Sequence, residues 1–245
     1  MPFDTTPLFR DDAYLRECTA EVLAVNESGG IVLDRTVFYA TSGGQPGDTG
    51  QLTAEGYAIR VGGAVYAADS KAEVVHVPLA APSQPLRPGG LVQVEIDWER
   101  RHRHMRMHTA LHLLCSLIPF PVTGGAIGSA ESRLDFDISD AGAVDRDDLT
   151  ERLNVLVAAD HPVTTRWITD EELAANPGLV RTMSVKPPAG AGRVRLVAIG
   201  SDAEVDLQPC GGTHVRSTAE IGRLIVSKIE KKGRLNRRIR VAFAG

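Results

Sequence analysis

Cys210-Gly-Gly-Thr-His214 and His108-Thr-Ala-Leu-His112 are the two stretches on which the architecture of this chain depends. Together they supply three imidazoles and one thiolate, a ligand set that Zn2+ accepts in tetrahedral geometry. Two histidines four residues apart on a helix lie on one face, roughly 5–6 Å apart at Cβ, so both can reach one metal ion. The Cys-Gly-Gly-Thr-His segment is expected to be a loop, because glycines permit a tight turn. The sequence therefore predicts that a helix and a distant loop converge on one site.

The helix that carries the histidine pair is expected to run from an N-cap at Asp97 to about Leu117. The two histidines recur with apolar residues at the spacing i, i+3, i+4, i+7, which places them on the buried stripe of the helix. A lone buried histidine is more often a satisfied core residue. Two on one stripe are costly to bury, and they favour metal binding or catalysis.

The chain before this helix has the pattern of a small β-barrel, and the chain after it mixes helices with strands. Short alternating segments are bounded by turn residues at Cys18–Val25, Gly30–Asp34, Tyr57–Tyr66, Ala72–Pro78 and Leu91–Asp97. We therefore expect an α+β protein with a β-barrel domain over 1–97. Residues 98–245 are expected to form a second domain of helices packed on an antiparallel sheet.

One segment of the predicted barrel, Phe38–Gly50, is unusually rich in glycine. Four glycines and a proline in so short a stretch exclude a regular element. The segment is either a tight surface turn or a loop whose backbone approaches a ligand closely, and its composition favours neither.

Composition and charge narrow the class of protein. The 245 residues are 43% hydrophobic and 24% charged, and no apolar run approaches the length of a membrane span. No secretory signal is expected at the N-terminus, and three sparse cysteines predict neither a disulfide framework nor a disulfide-linked partner. We therefore expect a cytoplasmic protein that does not bind membranes.

Basic side chains concentrate in two clusters near the candidate ligands. Between Arg223 and Arg240 there are eight lysines and arginines against one acid, Glu230. Four more arginines lie between Arg100 and Arg106, just before the histidine pair. Such clusters are typical of a surface that binds phosphate groups, although a single charged run is usually only a solvated face.

These segments, taken in order, resemble the editing module of alanyl-tRNA synthetases and in particular the freestanding alanyl-tRNA editing proteins of the AlaX family. The resemblance covers nearly the whole chain, and no aminoacylation domain is present in it. It rests on Phe38–Gly50, on His108–His112, on Asp206–His214 and on Lys232–Arg238. The glycine-rich segment indicates the medium-length members, which carry a small β domain before the editing domain.

The resemblance implies a zinc-dependent site and a substrate. It implies that His108, His112, Cys210 and His214 bind one Zn2+ per chain. It also implies that the Gly43-Gly44-Gln45 segment lies near the amino-acid end of mischarged tRNA(Ala), and that the reaction is ester hydrolysis. The related editing domain of threonyl-tRNA synthetases has a similar set of side chains and does not need a metal.

Such an editing protein would release serine, and by the same logic glycine, while sparing Ala-tRNA(Ala). A small apolar pocket rejects an added hydroxyl by only ~10²-fold, so activation of alanine needs a second sieve. Our candidates for a hydrogen bond to the serine hydroxyl are Thr41, Gln45 and Thr213, and the close backbone of Gly43 and Gly44 is a candidate steric wall. The candidates for phosphate contacts are Arg100, Arg103, Lys228, Lys231, Lys232, Arg237 and Arg238.

Two other functions fit the same residues. One is a metal-free cysteine hydrolase with Cys210 as nucleophile and His214 as base. The other is a non-catalytic tRNA-binding module with a structural zinc. A closed four-ligand site has no open position, so the sequence leaves open whether the metal is catalytic or only orients the substrate.

Overall fold

The computed structural model describes residues 3–54, 56–68, 70–82, 84, 86–138, 144–181 and 192–245. Within these ranges the chain divides into two compact units, Met1–His102 and Arg103–Gly245. The division falls inside the long helix, and the domain boundary at Asp97 stays a prediction. None of the helices described is both long enough and apolar enough to cross a membrane.

The first unit is a closed six-stranded antiparallel barrel, which confirms the β-barrel prediction. Its strands are joined in the order β2-β3-β7-β6-β5-β8. A short parallel pair, β1 with β4, lies beside it. The bounds are β1 Thr6–Pro7, β2 Glu17–Val25, β3 Ile31–Leu33, β4 Arg35–Thr36, β5 Gly50–Ala54, β6 Tyr57–Ala67, β7 Ser70–Pro78 and β8 Leu91–Ile96. Alternate residues of these strands point inward, and Leu33, Leu52 and Val94 are fully buried.

A buried histidine lies in the wall of this barrel. The His76 ring contacts the Ile31 carbonyl oxygen through Nδ1 at 3.0 Å and the Thr36 hydroxyl through Nε2 at 2.8 Å. Because a carbonyl oxygen can only accept, Nδ1 carries the proton and donates to Ile31. Nε2 of the neutral imidazole then accepts from the Thr36 hydroxyl, whose oxygen accepts from the Phe38 amide. Burial lowers the pKa of His76 from 6.5 to about 4.

His76 is expected to make the barrel sensitive to acid. The unfolded chain takes up a proton at His76 as the pH falls through 6.5, whereas the folded chain resists it until about pH 4. Its contribution is therefore complete above pH 6.5 and is lost as the pH falls towards 4, by about 3 kcal/mol in total. Urea unfolding at pH 7 and pH 4.5 should show a smaller pH-dependent loss in His76→Gln than in the wild type. Equal losses in the two proteins would contradict this expectation.

The second unit carries two antiparallel sheets rather than one, and with the barrel it confirms the α+β class. One sheet has four strands in the order β14-β15-β10-β9, and the other has three in the order β11-β12-β13. The strands of the two sheets are β9 Val122–Ala126, β10 Glu131–Asp137, β11 Val163–Thr169, β12 Arg193–Ile199, β13 Asp206–Pro209, β14 Leu224–Lys231 and β15 Asn236–Phe243. The helices are α1 Trp98–Leu117, α2 Arg146–Ala158 and α3 Asp170–Ala175.

The long helix begins and ends as the sequence predicts. The Asp97 carboxylate accepts the Arg100 amide at 3.1 Å, as an N-cap does. The strand β14 begins at Leu224, after a short turn. A 3-10 helix occupies Thr218–Ile221, and Gly222 at φ +73° follows it in a conformation that few other residues adopt.

Candidate metal centre

The four predicted ligands converge on one buried cluster in the second unit. Their potential ligand atoms all lie within 4.8 Å of one another. The Cys210 Sγ lies 3.4 Å from Nε2 of His108 and 3.3 Å from Nε2 of His214. In a tetrahedral zinc site, neighbouring ligand atoms are roughly 3.3–3.6 Å apart. The four side chains therefore fit a divalent ion of that size and preference, although the identity of the metal is not fixed by geometry.

The histidine pair is presented by α1 and the other two ligands by the loop after β13. His108 and His112 are four residues apart, and their ring centroids are separated by 5.4 Å. The His214 ring lies 4.3 Å from the His108 ring and 4.6 Å from the His112 ring. Two segments about a hundred residues apart in the chain thus supply one site, as the sequence predicts.

Hydrogen bonds from neighbouring residues fix which nitrogen of each imidazole faces the cluster. Asp206 Oδ2 accepts from Nδ1 of His112 at 2.8 Å, and both side chains are almost fully buried. The Thr109 hydroxyl donates to the Met105 carbonyl oxygen at 2.9 Å, so at 3.1 Å it accepts from Nδ1 of His214. In both histidines the Nε2 lone pair is left to bind a metal.

The protonation of the cluster is strongly perturbed. Burial raises the pKa of the Cys210 thiol, but the charges of His108 and His214 outweigh burial and hold it well below its usual value. Burial and the charge of His108 likewise lower the pKa of His214 well below its usual value. For His112, burial lowers the pKa, but the hydrogen bonds to Asp206 and Cys210 and the negative charges of those two groups together outweigh burial and raise the pKa to about 10. A metal ion that binds the thiolate and Nε2 of His112 therefore displaces the second proton of this imidazole.

The loop that carries Cys210 is held by an arginine that the sequence did not single out. Arg195, on β12, donates from Nη1 to the carbonyl oxygens of Cys210 and Gly212, each at 2.9 Å. The Cys210 amide in turn donates to the Arg195 carbonyl oxygen at 3.1 Å. These bonds fix a turn of two glycines that has no regular structure of its own.

Replacement of Asp206 by asparagine is expected to weaken metal binding about 10- to 100-fold, because the uncharged amide orients His112 less strongly. The affinity is measured by competition for Zn2+ with a chromophoric chelator. The matched control is Asp202→Asn, which removes the same negative charge at an exposed position four residues away. Equal affinities of the Asp206 variant and the wild type would show that Asp206 does not support the site.

The glycine-rich segment forms a tight turn in the first unit. The Ser42 and Gln45 backbones pair with each other at 2.9 and 3.1 Å, and Gly43 and Gly44 lie between them at φ +56° and +83°. This turn requires glycine at both positions. The Thr41 hydroxyl accepts the Gly47 amide at 2.8 Å and donates to the Ala64 carbonyl oxygen at 3.2 Å.

The side chains of the proposed substrate contacts differ in exposure. Gln45 and Thr213 are both fully buried, in the first and second unit respectively. Because the Thr41 hydrogen is already donated, that hydroxyl could only accept from a substrate. The roles of all these residues stay predictions.

The predicted phosphate contacts fall into two groups. Exposed members of the set are Arg103, Lys228, Lys231 and Lys232. The others are engaged: Arg100 donates to the Gly47 carbonyl oxygen at 2.7 Å, Arg238 makes two bonds to Asp135 at 2.8 and 2.9 Å, and Arg237 is only 5% exposed. Lys228 and Lys232 also pair with Glu230, at 3.5 and 3.6 Å, but their side chains stay exposed. The exposed members are therefore the stronger candidates, and all seven assignments stay predictions.

Comparison with known proteins shows that nearly the whole chain is similar to alanyl-tRNA editing proteins and to a part of alanine–tRNA ligases. Residues 194–240 match the family described as threonyl and alanyl tRNA synthetase second additional domain. Residues 12–100 match the class II (A) tRNA synthetases. The chain is 35% identical to the alanyl-tRNA editing protein AlaX-M of Methanosarcina acetivorans, over 96% of this chain and 97% of the relative. The AlaX-M of Methanosarcina mazei is 36% identical, over 96% and 95% of the two chains.

A longer relative shares the same region. The chain is 38% identical to the alanine–tRNA ligase of Pyrobaculum arsenaticum, over 93% of this chain but only 25% of the ligase. The similarity is thus to a part of that ligase, whereas it spans nearly all of the freestanding editing proteins.

Proposed function

Because the chain belongs to the AlaX-M type of alanyl-tRNA editing proteins, we propose that it hydrolyses mischarged Ser-tRNA(Ala) and Gly-tRNA(Ala) in trans and spares Ala-tRNA(Ala). The observation that carries the proposal is the buried cluster of His108, His112, Cys210 and His214, whose ligand atoms lie within 4.8 Å of one another. Burial of four ionisable side chains together costs desolvation free energy, and such a cluster is typical of a functional site.

The proposed metal is one Zn2+ per chain, held by these four side chains. When bound, Zn2+ supplies a Lewis acid beside the ester that joins the amino acid to the terminal ribose. The protein contributes the orientation of the ligands. Asp206 and Thr109 hold two imidazoles with Nε2 inward, at 2.8 and 3.1 Å, and Arg195 holds the Cys210 loop.

Specificity is assigned to polar groups that pair with the serine hydroxyl. A site built to hydrogen-bond a hydroxyl rejects the substrate that lacks it by ~10⁴–10⁵, because its own polar groups are then left unpaired. The candidates are Thr41, Gln45 and Thr213, whose hydroxyl and amide groups can pair with a hydroxyl. Glycine lacks the hydroxyl as alanine does, so the release of glycine and the retention of alanine are assigned instead to a steric limit, the tight turn at Gly43 and Gly44. Gln45→Ala should lower serine release and leave the metal content unchanged.

The tRNA is proposed to be held through its phosphates. The lysines Lys228, Lys231 and Lys232 and the arginine Arg103 offer exposed charges for this purpose. Arg100, Arg237 and Arg238 belong to the same proposal, and each would share its guanidinium between a phosphate and its present partner. Reversal of charge at Lys232 should weaken tRNA binding and flatten its dependence on salt.

A second candidate function has its own geometric support. The Cys210 sulfur lies within 3.4 Å of two imidazole nitrogens, which is also the arrangement of an activated nucleophile without metal. Alkylation separates the two functions. A metal-bound thiolate should resist iodoacetamide until a chelator removes the ion, whereas a free nucleophile should react at once and lose activity.

The direct test of the proposed function is deacylation of three substrates in parallel. Ser-, Gly- and Ala-tRNA(Ala), each labelled in the amino acid, are incubated with the protein, and the released amino acid is counted. Serine and glycine should be released and alanine retained. Retention of serine at every protein concentration would contradict the proposal and favour a non-catalytic tRNA-binding module.

A further inference from the structure

Trp167 is an exposed tryptophan on an edge strand of the second unit. The strand β11 pairs only with β12 within its sheet, and the indole is 41% exposed. The preceding residues from Thr164 to Arg166 are exposed as well. An indole has a large planar apolar face, and where it is accessible on a sheet edge it can stack with another planar ring.

The position of Trp167 relative to the metal cluster follows from the strand register. Trp167 is paired with Arg195, and the amide of Cys210 donates to the Arg195 carbonyl oxygen at 3.1 Å. The three residues thus form a row across the sheet. Neighbouring strands are about 4.8 Å apart, so the backbones of Trp167 and Cys210 are separated by roughly 10 Å. The ribose and ester of one nucleotide can cover such a length.

The charges around the indole suit a nucleotide. The Arg193 guanidinium lies 5.2 Å from the centre of the Trp167 ring. Arg193 is two residues from Arg195, the strand partner of Trp167, so the two side chains lie on the same face of the sheet. The far end of β11 leads into the acidic first turn of α3, where Asp170 accepts the Gly192 amide and Glu172 the Thr169 amide. A phosphate is therefore directed to Arg193 and away from α3, while the indole accepts an uncharged ring.

We propose that Trp167 is a stacking site for an RNA base at the acylated end of the substrate, with Arg193 as the contact for its phosphate. Indole and base rings stack without regard to base identity, and arginine adds to such a stack. Stacking on Trp167 fixes the nucleoside whose ribose carries the ester, and it brings the ester to the cluster around Cys210. The assignment rests on the proposed function, since it takes the ligand to be the end of a tRNA.

The chain offers a direct optical test, because Trp98 and Trp167 are its two tryptophans. In Trp98→Phe, Trp167 is the remaining indole, and its emission is followed during titration with an unacylated tRNA(Ala) minihelix that ends in CCA. Saturable quenching is expected. The same minihelix with an abasic terminal nucleotide should quench less. If Trp98→Phe folds poorly, the emission of Trp167 is obtained instead by subtracting the emission of Trp167→Phe from that of the wild type at each step of the titration.

Kinetics provide the second measurement. Trp167→Ala should raise KM for Ser-tRNA(Ala) by at least about fivefold, the lower end of what stacking of one base contributes. The metal content should stay unchanged, and Trp167→Phe should retain most of the affinity. Binding of a 5′-labelled minihelix without any change in Trp167 emission, or an unchanged KM in Trp167→Ala, would overturn the assignment. A wild type that releases no serine would overturn the proposed function, and quenching would still decide whether Trp167 binds RNA.

Discussion

Replacement of Cys210 by alanine is expected to remove both the bound metal and the deacylation of Ser-tRNA(Ala). The thiolate is one of the four proposed ligands and lies 3.3 and 3.4 Å from two of the others. Its loss leaves three neutral imidazoles, which bind the metal ion more weakly. The contribution of a Lewis acid at an ester is several kcal/mol, and the expected fall in kcat/KM is therefore at least about 10³-fold. Metal content by atomic emission and serine release are measured on the same preparation.

The control for this variant is Cys18→Ala, which changes the same residue type in the barrel. It should retain metal and activity. His108→Ala and His214→Ala should reproduce the loss seen with Cys210→Ala. A Cys210→Ala protein that keeps its metal, or that loses its metal and still hydrolyses the ester at the wild-type rate, would contradict the assignment.

The second large effect is expected at a buried ion pair in the first unit. The Arg101 guanidinium is fully buried and donates from Nε to both carboxylate oxygens of Asp48, at 3.0 and 2.9 Å. It also donates to the Val37 carbonyl oxygen at 2.6 Å, and the Tyr39 amide donates to Asp48 at 2.6 Å. These bonds close the two ends of the glycine-rich segment.

Asp48→Leu is expected to lower the free energy of unfolding by about 3–5 kcal/mol, because it leaves the Arg101 charge buried without its partner. Arg101→Met combined with Asp48→Leu should be less destabilised than Asp48→Leu alone, since no isolated charge remains. Urea unfolding followed by circular dichroism gives the free energies of the wild type, of Asp48→Leu, of Arg101→Met and of the double variant. The exposed pair of Arg152 and Asp148 is the control, and its removal should cost less than about 1 kcal/mol. A double variant that loses the sum of both single effects would contradict this account.

Local sequence patterns predicted the convergence of the four side chains because each pair is encoded by its own spacing. His108 and His112 need only a helix, and Cys210 and His214 need only a turn. The residues that orient them were not assigned, because Asp206 and Thr109 reach the histidines through the packing of α1 against the β13 loop. That packing depends on distant parts of the chain, and no local period encodes it.

Two of the strands that local patterns missed are strands in which glycine interrupts the alternation. β5 begins at Gly50, and β9 contains Gly124 and Gly125. A glycine has no side chain to mark a buried or an exposed position, so the period of two is hidden. The division of the second unit into two sheets is likewise set by pairing, since β10 joins β9 and β15 while β12 joins β11 and β13. The placement of Trp167 beside Arg195 is a consequence of that register.

The most direct test of the central claim is to restore metal stepwise to protein stripped with a chelator. Zn2+ is added in increments, and serine release from Ser-tRNA(Ala) is measured at each step. We expect release to rise linearly and to level off at one ion per chain, with no rise in Cys210→Ala. Full activity of the stripped protein before any metal is added would contradict the claim that these four side chains work through a bound ion.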